Sequence, residues 1–303
     1  MKEDLINKIQ KLKEEKNAVI LAHNYQVTEV QDIADHLGDS LQLSRLAAEV
    51  EQDIIVFCGV KFMAETAKIL SPRKKVLLPR LDAGCPMADM ITVEELGELK
   101  KAHPQAKVVT YVNSSVEIKA ESDACCTSSN AVKVVRNIDA DKIIFVPDRN
   151  LGAYIQSQVG SDKELILFEG YCYVHNRIKK EEIEATKKLY PKAKVVVHPE
   201  TRMEVIEIAD EVLSTGGMLK YIAASPDKQF IIGTEQGLIE RMKRENPGKE
   251  LYPALRPKIC SNMKRTALID VYNALEKDRY EIKIAASLAK RAVKALDEML
   301  KYI

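Results

Sequence analysis

Three cysteines recur at nearly equal intervals along the 303-residue chain. Cys85, Cys172 and Cys260 stand 87 and 88 residues apart, and each lies at a loop-like point where an element ends. A lone cysteine in a reducing compartment is most often a small buried hydrophobic residue. Three cysteines in register indicate instead equivalent positions in repeated units. If the units surround a pseudo-threefold axis, their thiolates meet around one metal centre.

The spacing of the six cysteines excludes some kinds of metal and redox site and favours others. No pair has the C-x-x-C spacing of a zinc ribbon or a thioredoxin-like redox site. An electron-transfer [4Fe-4S] cluster normally has four cysteine ligands, whereas three leave one iron free to act as a Lewis acid. The remaining cysteines lie on or beside apolar stretches at non-equivalent positions, and we expect them to be structural: Cys58, Cys125 and Cys126.

Polar residues that follow short apolar strands form a second set of candidates. His23, Asn113, His198 and Glu200 come just past the first strand of a unit. Parallel α/β sheets bind ligands at that edge. Glu200 is the best candidate for a general acid and base, because a carboxylate near a cluster can have its pKa moved toward neutrality.

Two tyrosines lie at or beside the same polar ends of strands. Tyr25 and Tyr111 are either core aromatics or phenols that reach a ligand, and we expect them to shuttle protons. His198 is also a catalytic candidate, because it is the repeat equivalent of His23, whereas His36 has no equivalent.

One hydroxyl residue comes next in each unit, where a second helix is predicted to begin. Ser40, Ser128 and Thr215 are either ordinary N-caps or ligands for an anion at the positive end of a helix. Three equivalent hydroxyls facing one axis would form an anion-binding cage that suits a dicarboxylate and a phosphate ester.

The elements that position these residues recur in one order. First strands are predicted at 18–22, 108–112 and 195–197, and second strands at 54–58, 143–146 and 230–232. Between them lie helical stretches around 30–37, 116–123 and 203–212, followed by the hydroxyl residue and its helix. A third extended segment then leads to the cysteine. Strand alternating with helix at this period predicts parallel sheets with right-handed crossovers.

The predicted fold is α/β, with three similar αβα sandwich domains around a pseudo-threefold axis. The domains are predicted at 1–86, 87–173 and 174–281, and a terminal helix at 282–300 is expected to pack back on the first. A hydrophobic content of 46% supports a large core, and a net charge of +1 offers no field for nucleic acid. Apolar runs of five residues are too short for a membrane span. Without a signal peptide pattern, a cytoplasmic location is expected.

Ten short strings, in order from about residue 18 to 270, resemble the quinolinate synthase family. They are His23-Asn24-Tyr25, Gly38-Asp39-Ser40, Cys85-Pro86-Met87-Ala88, Tyr111-Val112-Asn113-Ser114, Thr127-Ser128, Cys172 with His175, His198-Pro199-Glu200, Ser214-Thr215-Gly216, Gly233-Thr234-Glu235 and Cys260-Ser261-Asn262-Met263-Lys264. Each string alone is weak evidence for the family, but ten strings in the same order over most of the chain make chance similarity improbable. Tyr173 and residues 176–179 depart from the family pattern, which leaves the role of His175 open.

The resemblance implies three αβα domains around a [4Fe-4S] cluster on Cys85, Cys172 and Cys260. It implies condensation of iminoaspartate with dihydroxyacetone phosphate to quinolinate for NAD synthesis, with L-aspartate oxidase or aspartate dehydrogenase supplying iminoaspartate. The substrate-binding residues it implies are His23, Ser40, Tyr111, Val112, Asn113, Ser128, His198, Pro199, Glu200 and Thr215.

Two alternatives differ in the chemistry of the cysteines. One is a metal-dependent lyase or aldolase whose three cysteines hold zinc or a mononuclear iron. Colour distinguishes them, because an iron–sulfur protein purified anaerobically is brown and a zinc protein is colourless. The other is a non-catalytic sensor in which a cluster only reports oxygen. A sensor would tolerate the loss of Glu200, and an enzyme would not.

Overall fold

The computed structural model describes residues 2–302 as three sheets with identical topology. Each sheet has four parallel strands, with the chain order second, first, third, fourth across the sheet. The central strands are apolar and buried along most of their length, as expected for sheets that helices cover on both faces. The predicted α/β class and the three similar units are confirmed.

The elements of the three units follow one another along the chain. The first unit contains α1 (Lys2–Glu15), β1 (Ala18–His23), α2 (Thr28–Asp32), β2 (His36–Gly38), α3 (Ser40–Glu49), β3 (Ile54–Cys58), α4 (Lys61–Leu70) and β4 (Lys75–Leu77). The second contains α5 (Val93–Ala102), β5 (Lys107–Tyr111), α6 (Val116–Ala120), β6 (Ala124–Cys126), α7 (Ala131–Asn137), β7 (Lys142–Val146), α8 (Arg149–Val159) and β8 (Glu164–Leu167). The third contains α9 (Lys180–Leu189), β9 (Lys194–Val197), α10 (Met203–Ile206), β10 (Glu211–Val212), α11 (Thr215–Ala224), β11 (Gln229–Gly233), α12 (Gln236–Glu245) and β12 (Glu250–Pro253).

The predicted helices 30–37, 116–123 and 203–212 were too long. The helices end at Asp32, Ala120 and Ile206, and the chain then forms the short edge strands β2, β6 and β10. These strands have only two or three residues, too few to show the alternation that reveals a strand. Each leads to a hydroxyl residue that lines the site: β2 to Ser40, β6 to Ser128 and β10 to Thr215.

The chain after Cys260 returns to the other two units. Helix α13 (Leu268–Lys277) packs on α1 and β3 of the first unit, although the predicted third unit included it. Helix α14 (Ala286–Leu300) packs mainly on α6 and β6 of the second unit and also on α4 of the first. The C-terminal residues therefore join the first and second units, and the predicted domain boundaries stay a prediction. Among residues 2–302, no helix combines the length and apolarity that spanning a bilayer requires.

Candidate functional site

All three regularly spaced cysteines line one cavity. Cys85, Cys172 and Cys260 lie in the segments that follow the fourth strands β4, β8 and β12, and all three are half-buried free thiols. The cavity holds about 760 Å³ of empty space, counting its open mouth. The other cysteines are fully buried on β3 and β6: Cys58, Cys125 and Cys126. The structure thus brings together one thiol from each unit.

Each of the three sulfurs receives a backbone hydrogen bond from the residue three positions further on. Ala88 donates to Cys85, His175 to Cys172 and Met263 to Cys260. Burial raises the pKa of Cys85 to about 12, and these peptide N–H groups oppose the rise. A bound metal deprotonates a coordinating thiol, so these donors would stabilise sulfurs that ligate one.

The three cysteine sulfurs do not lie close enough to share one ion in this conformation. Within residues 2–302, the only three Cys, His, Asp or Glu side chains with ligand atoms all within 4.8 Å are Cys172, His175 and Glu200. Thiolates bound to one tetrahedral zinc at about 2.3 Å lie roughly 3.8 Å apart. The three cysteines therefore could not ligate one tetrahedral ion without moving closer together.

A continuous hydrogen-bonded chain joins both predicted tyrosines through Glu200. The Glu200 carboxylate lies 2.5 Å from Nδ1 of His175, and Nε2 of His175 lies 3.0 Å from Oγ1 of Thr234. That hydroxyl is 3.1 Å from the Tyr25 phenol. Tyr111 hydrogen-bonds Glu200 from the other side. Every member is at least nine-tenths buried.

Two residues of this chain are absent from the sequence-based set of site residues. His175 and Thr234 belong to strings that carry the family resemblance, but neither follows a first strand. Thr234 follows the third strand, β11. His175 lies in the cysteine loop, close enough to contact the Cys172 sulfur at 3.3 Å. Attention to the ends of third strands would have found Thr234.

Burial keeps two histidines of the site, His23 and His198, neutral. Burial lowers the pKa of His23 and of His198 to about 3. The His198 ring stacks on His175 with the ring centres 4.4 Å apart, and His23 meets Tyr25 edge to face at 4.6 Å. At neutral pH, His23 and His198 can therefore accept or share a proton in hydrogen bonds but carry no fixed charge.

Glu200 is ionised, contrary to the expectation that its pKa moves toward neutrality. Burial favours the protonated form, but the neighbouring His175 and the Tyr111 hydrogen bond outweigh it and lower the pKa to about 2. Burial raises the pKa of both Tyr25 and Tyr111 well above the ordinary value, so both phenols keep their protons. The resting site has a carboxylate that can accept a proton, with phenols that can donate one.

The three hydroxyl residues line the cavity and do not cap their helices. Ser40 and Thr215 are the first residues of α3 and α11, whose N-caps are the side chains of Asp39 and Ser214. Ser128 precedes α7 by three residues. N-capping therefore does not account for these hydroxyls, which remain available to an anion.

Asn113 presents a further polar group to the cavity. Its Oδ1 atom is buried and has no hydrogen-bond partner. A buried polar atom without a partner is costly, and a ligand that donates a hydrogen bond would satisfy it.

Two predicted substrate-binding residues do not line the cavity. Val112 is buried in the hydrophobic core, and Pro199 lines a neighbouring cleft beside Arg45, Arg136 and Lys220. Neighbouring residues in their strings, Asn113 and His198, do line the cavity. Alternation of side chains along an extended segment explains why only part of each string faces the ligand.

Comparisons with known proteins agree on one family. A family model described as "NadA: Quinolinate synthetase A protein" matches residues 7–301. The chain is 53% identical over 299 residues to the quinolinate synthase of Caldicellulosiruptor bescii, covering 99% of this chain and 98% of that one. It is 52% identical to that of Alkaliphilus metalliredigens, covering 98% of each chain. It is 51% identical to that of Clostridium kluyveri, covering 98% and 97%.

Neutral buried histidines predict that the metal-free protein loses stability on acidification. The folded pKa of His198 is about 3 and its ordinary value is 6.5. Between these values the unfolded chain takes up a proton that the folded chain does not. The contribution of neutral His198 to the free energy of unfolding is complete above pH 6.5 and is lost as the pH falls toward 3. His198→Asn cannot titrate there, so from pH 6.5 to 5 it should lose about 1–2 kcal/mol less unfolding free energy than the wild type.

Urea unfolding at several pH values measures this difference. His103→Asn is the control, because His103 lies at the end of α5 and outside the cavity. Identical pH dependence of the wild type and His198→Asn would show that His198 is not held neutral.

Proposed function

The chain belongs to the quinolinate synthase family, and we propose that its Cys85, Cys172 and Cys260 hold a [4Fe-4S] cluster that serves as a Lewis acid. The protein is a quinolinate synthase, an enzyme of NAD biosynthesis. The observation that carries the cluster proposal is the meeting of three free thiols, one from each unit, in one cavity.

The donor set fits a cluster of this kind. Three thiols are too few for the usual four-cysteine electron-transfer site, and their sulfurs are spread further than one ion needs. Each sulfur already has a peptide N–H donor, and hydrogen bonds to sulfur tune such clusters. When bound, the cluster would supply one iron without a protein ligand, able to polarise a substrate oxygen.

The substrates we propose are iminoaspartate and dihydroxyacetone phosphate. Their condensation to quinolinate releases phosphate and water. Both are anions, and the hydroxyls of Ser40, Ser128 and Thr215 face the cavity together with Asn113. The first turns of α3 and α11 place peptide N–H groups and a partial positive charge beside Ser40 and Thr215. These groups would hold carboxylate and phosphate oxygens and orient the two carbon skeletons for ring closure.

Ring closure and dehydration require protons to leave carbon and nitrogen and to reach departing oxygen. The Glu200 carboxylate would accept protons, and its hydrogen bond to His175 would stabilise each protonation state in turn. Tyr111 and Tyr25 would return protons from the two ends of the hydrogen-bonded chain. His198 and His23, neutral and buried, would bind substrate and exclude water.

A single-ion lyase is the second candidate, because Cys172, His175 and Glu200 are close enough to ligate one ion. In the present conformation, however, the His175 nitrogen and the Glu200 oxygen lie 2.5 Å apart and share a hydrogen bond. In this hydrogen bond Nδ1 of His175 donates its N–H to the Glu200 carboxylate, so that nitrogen has no lone pair free for an ion. Acid-labile sulfide in equal amount to iron would favour the cluster, and an ion without sulfide would favour the lyase.

We place the enzyme in the cytoplasm. All six cysteines are free thiols, which fits a reducing compartment. The net charge of +1 gives no reason to expect a nucleic acid partner. The functional partner we propose is the L-aspartate oxidase or aspartate dehydrogenase that makes the unstable iminoaspartate.

The activity is tested by anaerobic assay of the cluster-loaded protein with enzymatically generated iminoaspartate and dihydroxyacetone phosphate. We expect quinolinate to form at a rate proportional to the cluster content. A protein with full iron and sulfide that makes no quinolinate would contradict the proposed function.

The three ligand cysteines should differ from the three core cysteines in iron binding. Replacement of Cys85, Cys172 or Cys260 by alanine should abolish stable cluster assembly, because each removes one of only three ligands. Cys58→Ala, Cys125→Ala and Cys126→Ala remove thiols that do not reach the cavity and are the matched controls. Iron and sulfide analysis after anaerobic reconstitution decides between them. Iron loss in the controls, or retention in the first set, means that the ligands are misassigned.

Glu200→Gln preserves the shape of the side chain and removes its ability to exchange protons. Turnover should fall by about 10²–10⁴-fold with the cluster intact, the usual contribution of a general acid or base. Glu65→Gln is the control, because Glu65 is a buried glutamate on α4 that does not line the cavity. Iron content and turnover must come from one preparation. Near wild-type turnover with full iron would remove Glu200 from the mechanism and favour a sensor.

A further inference from the structure

Two of the three cysteine loops are held by buried carboxylates. The peptide N–H of Cys172 donates to Oδ2 of Asp148 at 2.9 Å. The peptide N–H of Cys260 donates to Oε1 of Glu235 at 3.1 Å. Both carboxylates are fully buried, and neither lines the cavity. Both carboxylates therefore hold the cysteine backbone and do not face the cavity, and Glu235 is also paired with Lys264, whose Nζ lies 3.2 Å from its Oε1.

The second oxygen of each carboxylate caps a helix. Oδ1 of Asp148 accepts from the N–H of Leu151 at 2.8 Å, at the start of α8. Oε2 of Glu235 accepts from the N–H of Gly237 at 2.6 Å, at the start of α12. Helices α8 and α12 follow the third strand of their units, so the two carboxylates are structurally equivalent. Each ties the start of a helix to a cysteine.

The first unit has the same backbone frame without the carboxylate. Its α4 has Val60 at the N-cap, with no side-chain hydrogen bond. A backbone hydrogen bond nevertheless holds the cysteine loop to the helix. The N–H of Lys61, the first residue of α4, donates to the carbonyl of Ala83, two residues before Cys85, at 2.8 Å. The carboxylates are thus an addition to the second and third units and are not needed for the fold of the unit.

We infer that Asp148 and Glu235 are positioning residues that fix the Cys172 and Cys260 loops in the spacing that the cluster requires. This inference rests on the proposed function, since it assumes that these cysteines are ligands. The Cys85 loop has no such carboxylate and is held instead through its carbonyls, by the Lys61 peptide N–H on Ala83 and by the Asn262 side chain on Gly84.

Helix capping alone is the competing explanation, and two substitutions of Asp148 separate it from anchoring. Asp148→Asn keeps the shape but has one acceptor oxygen, so it cannot satisfy both N–H groups. Asp148→Ser is a good N-cap whose short side chain cannot also reach Cys172. Asp123→Asn is the control for the loss of a side-chain hydrogen bond to the backbone, because Oδ2 of the exposed Asp123 accepts from the Val108 N–H at 2.8 Å in the same unit, away from the cavity.

The experiment measures the rate at which a chelator removes iron from each reconstituted protein under anaerobic conditions. Loss of partners that orient metal ligands typically costs 10–100-fold in metal affinity. We expect Asp148→Asn, Asp148→Ser and Glu235→Gln to release iron about 10–100-fold faster than wild type. Asp123→Asn should release iron at about the wild-type rate.

If Asp148→Ser and Glu235→Gln each release iron at the wild-type rate, the inference is overturned, and helix capping is the only role left for the two carboxylates. Equally fast release from Asp123→Asn would also overturn it, because the effect would then be general destabilisation. If an Asp148 variant does not fold, Glu235→Gln decides alone. The proposed function fails separately, when wild type with full iron and sulfide makes no quinolinate.

Discussion

One backbone hydrogen bond recurs in each unit, and the positions of Cys85, Cys172 and Cys260 depend on it. The first residue of the helix after the third strand donates to a carbonyl two residues before the cysteine. The three bonds are all 2.8 Å long and join Lys61 to Ala83, Arg149 to Gly170 and Gln236 to Lys258. They fix where the chain leaves the fourth strand, so three equivalent units deliver three thiols to one cavity. Peptide groups make this bond, and it therefore survives while the side chains around it diverge.

The cavity at which the units meet is lined mainly by apolar and neutral polar side chains. Burial keeps His23 and His198 neutral and Tyr25 and Tyr111 protonated, and Glu200 is the anion that their hydrogen bonds surround. In such a low-dielectric environment each hydrogen bond and each charge acts strongly on a bound anion. The site suits chemistry that moves several protons without admitting water to reactive intermediates.

The sequence predicted the features that depend on local pattern and on repetition. Apolar strands, the register of Cys85, Cys172 and Cys260, and the polar residues after first strands are all visible without coordinates. The edge strands β2, β6 and β10 were not predictable, because two or three residues show no periodicity. The bond between His175 and Thr234 was not predictable either, since it joins residues 59 positions apart through tertiary packing. The lowered pKa of Glu200 also depends on tertiary packing, because the fold brings His175 close to the carboxylate.

With three cysteine ligands, one iron of the proposed cluster would be open to substrate. Mössbauer spectra of the iron-labelled, reconstituted protein, recorded with and without bound quinolinate, test this directly. One iron site should change its spectrum on ligand binding while the sites bound to cysteine stay as they were. Spectra in which no site responds to a ligand that is shown to be bound, or in which every site has a cysteine ligand, would contradict it.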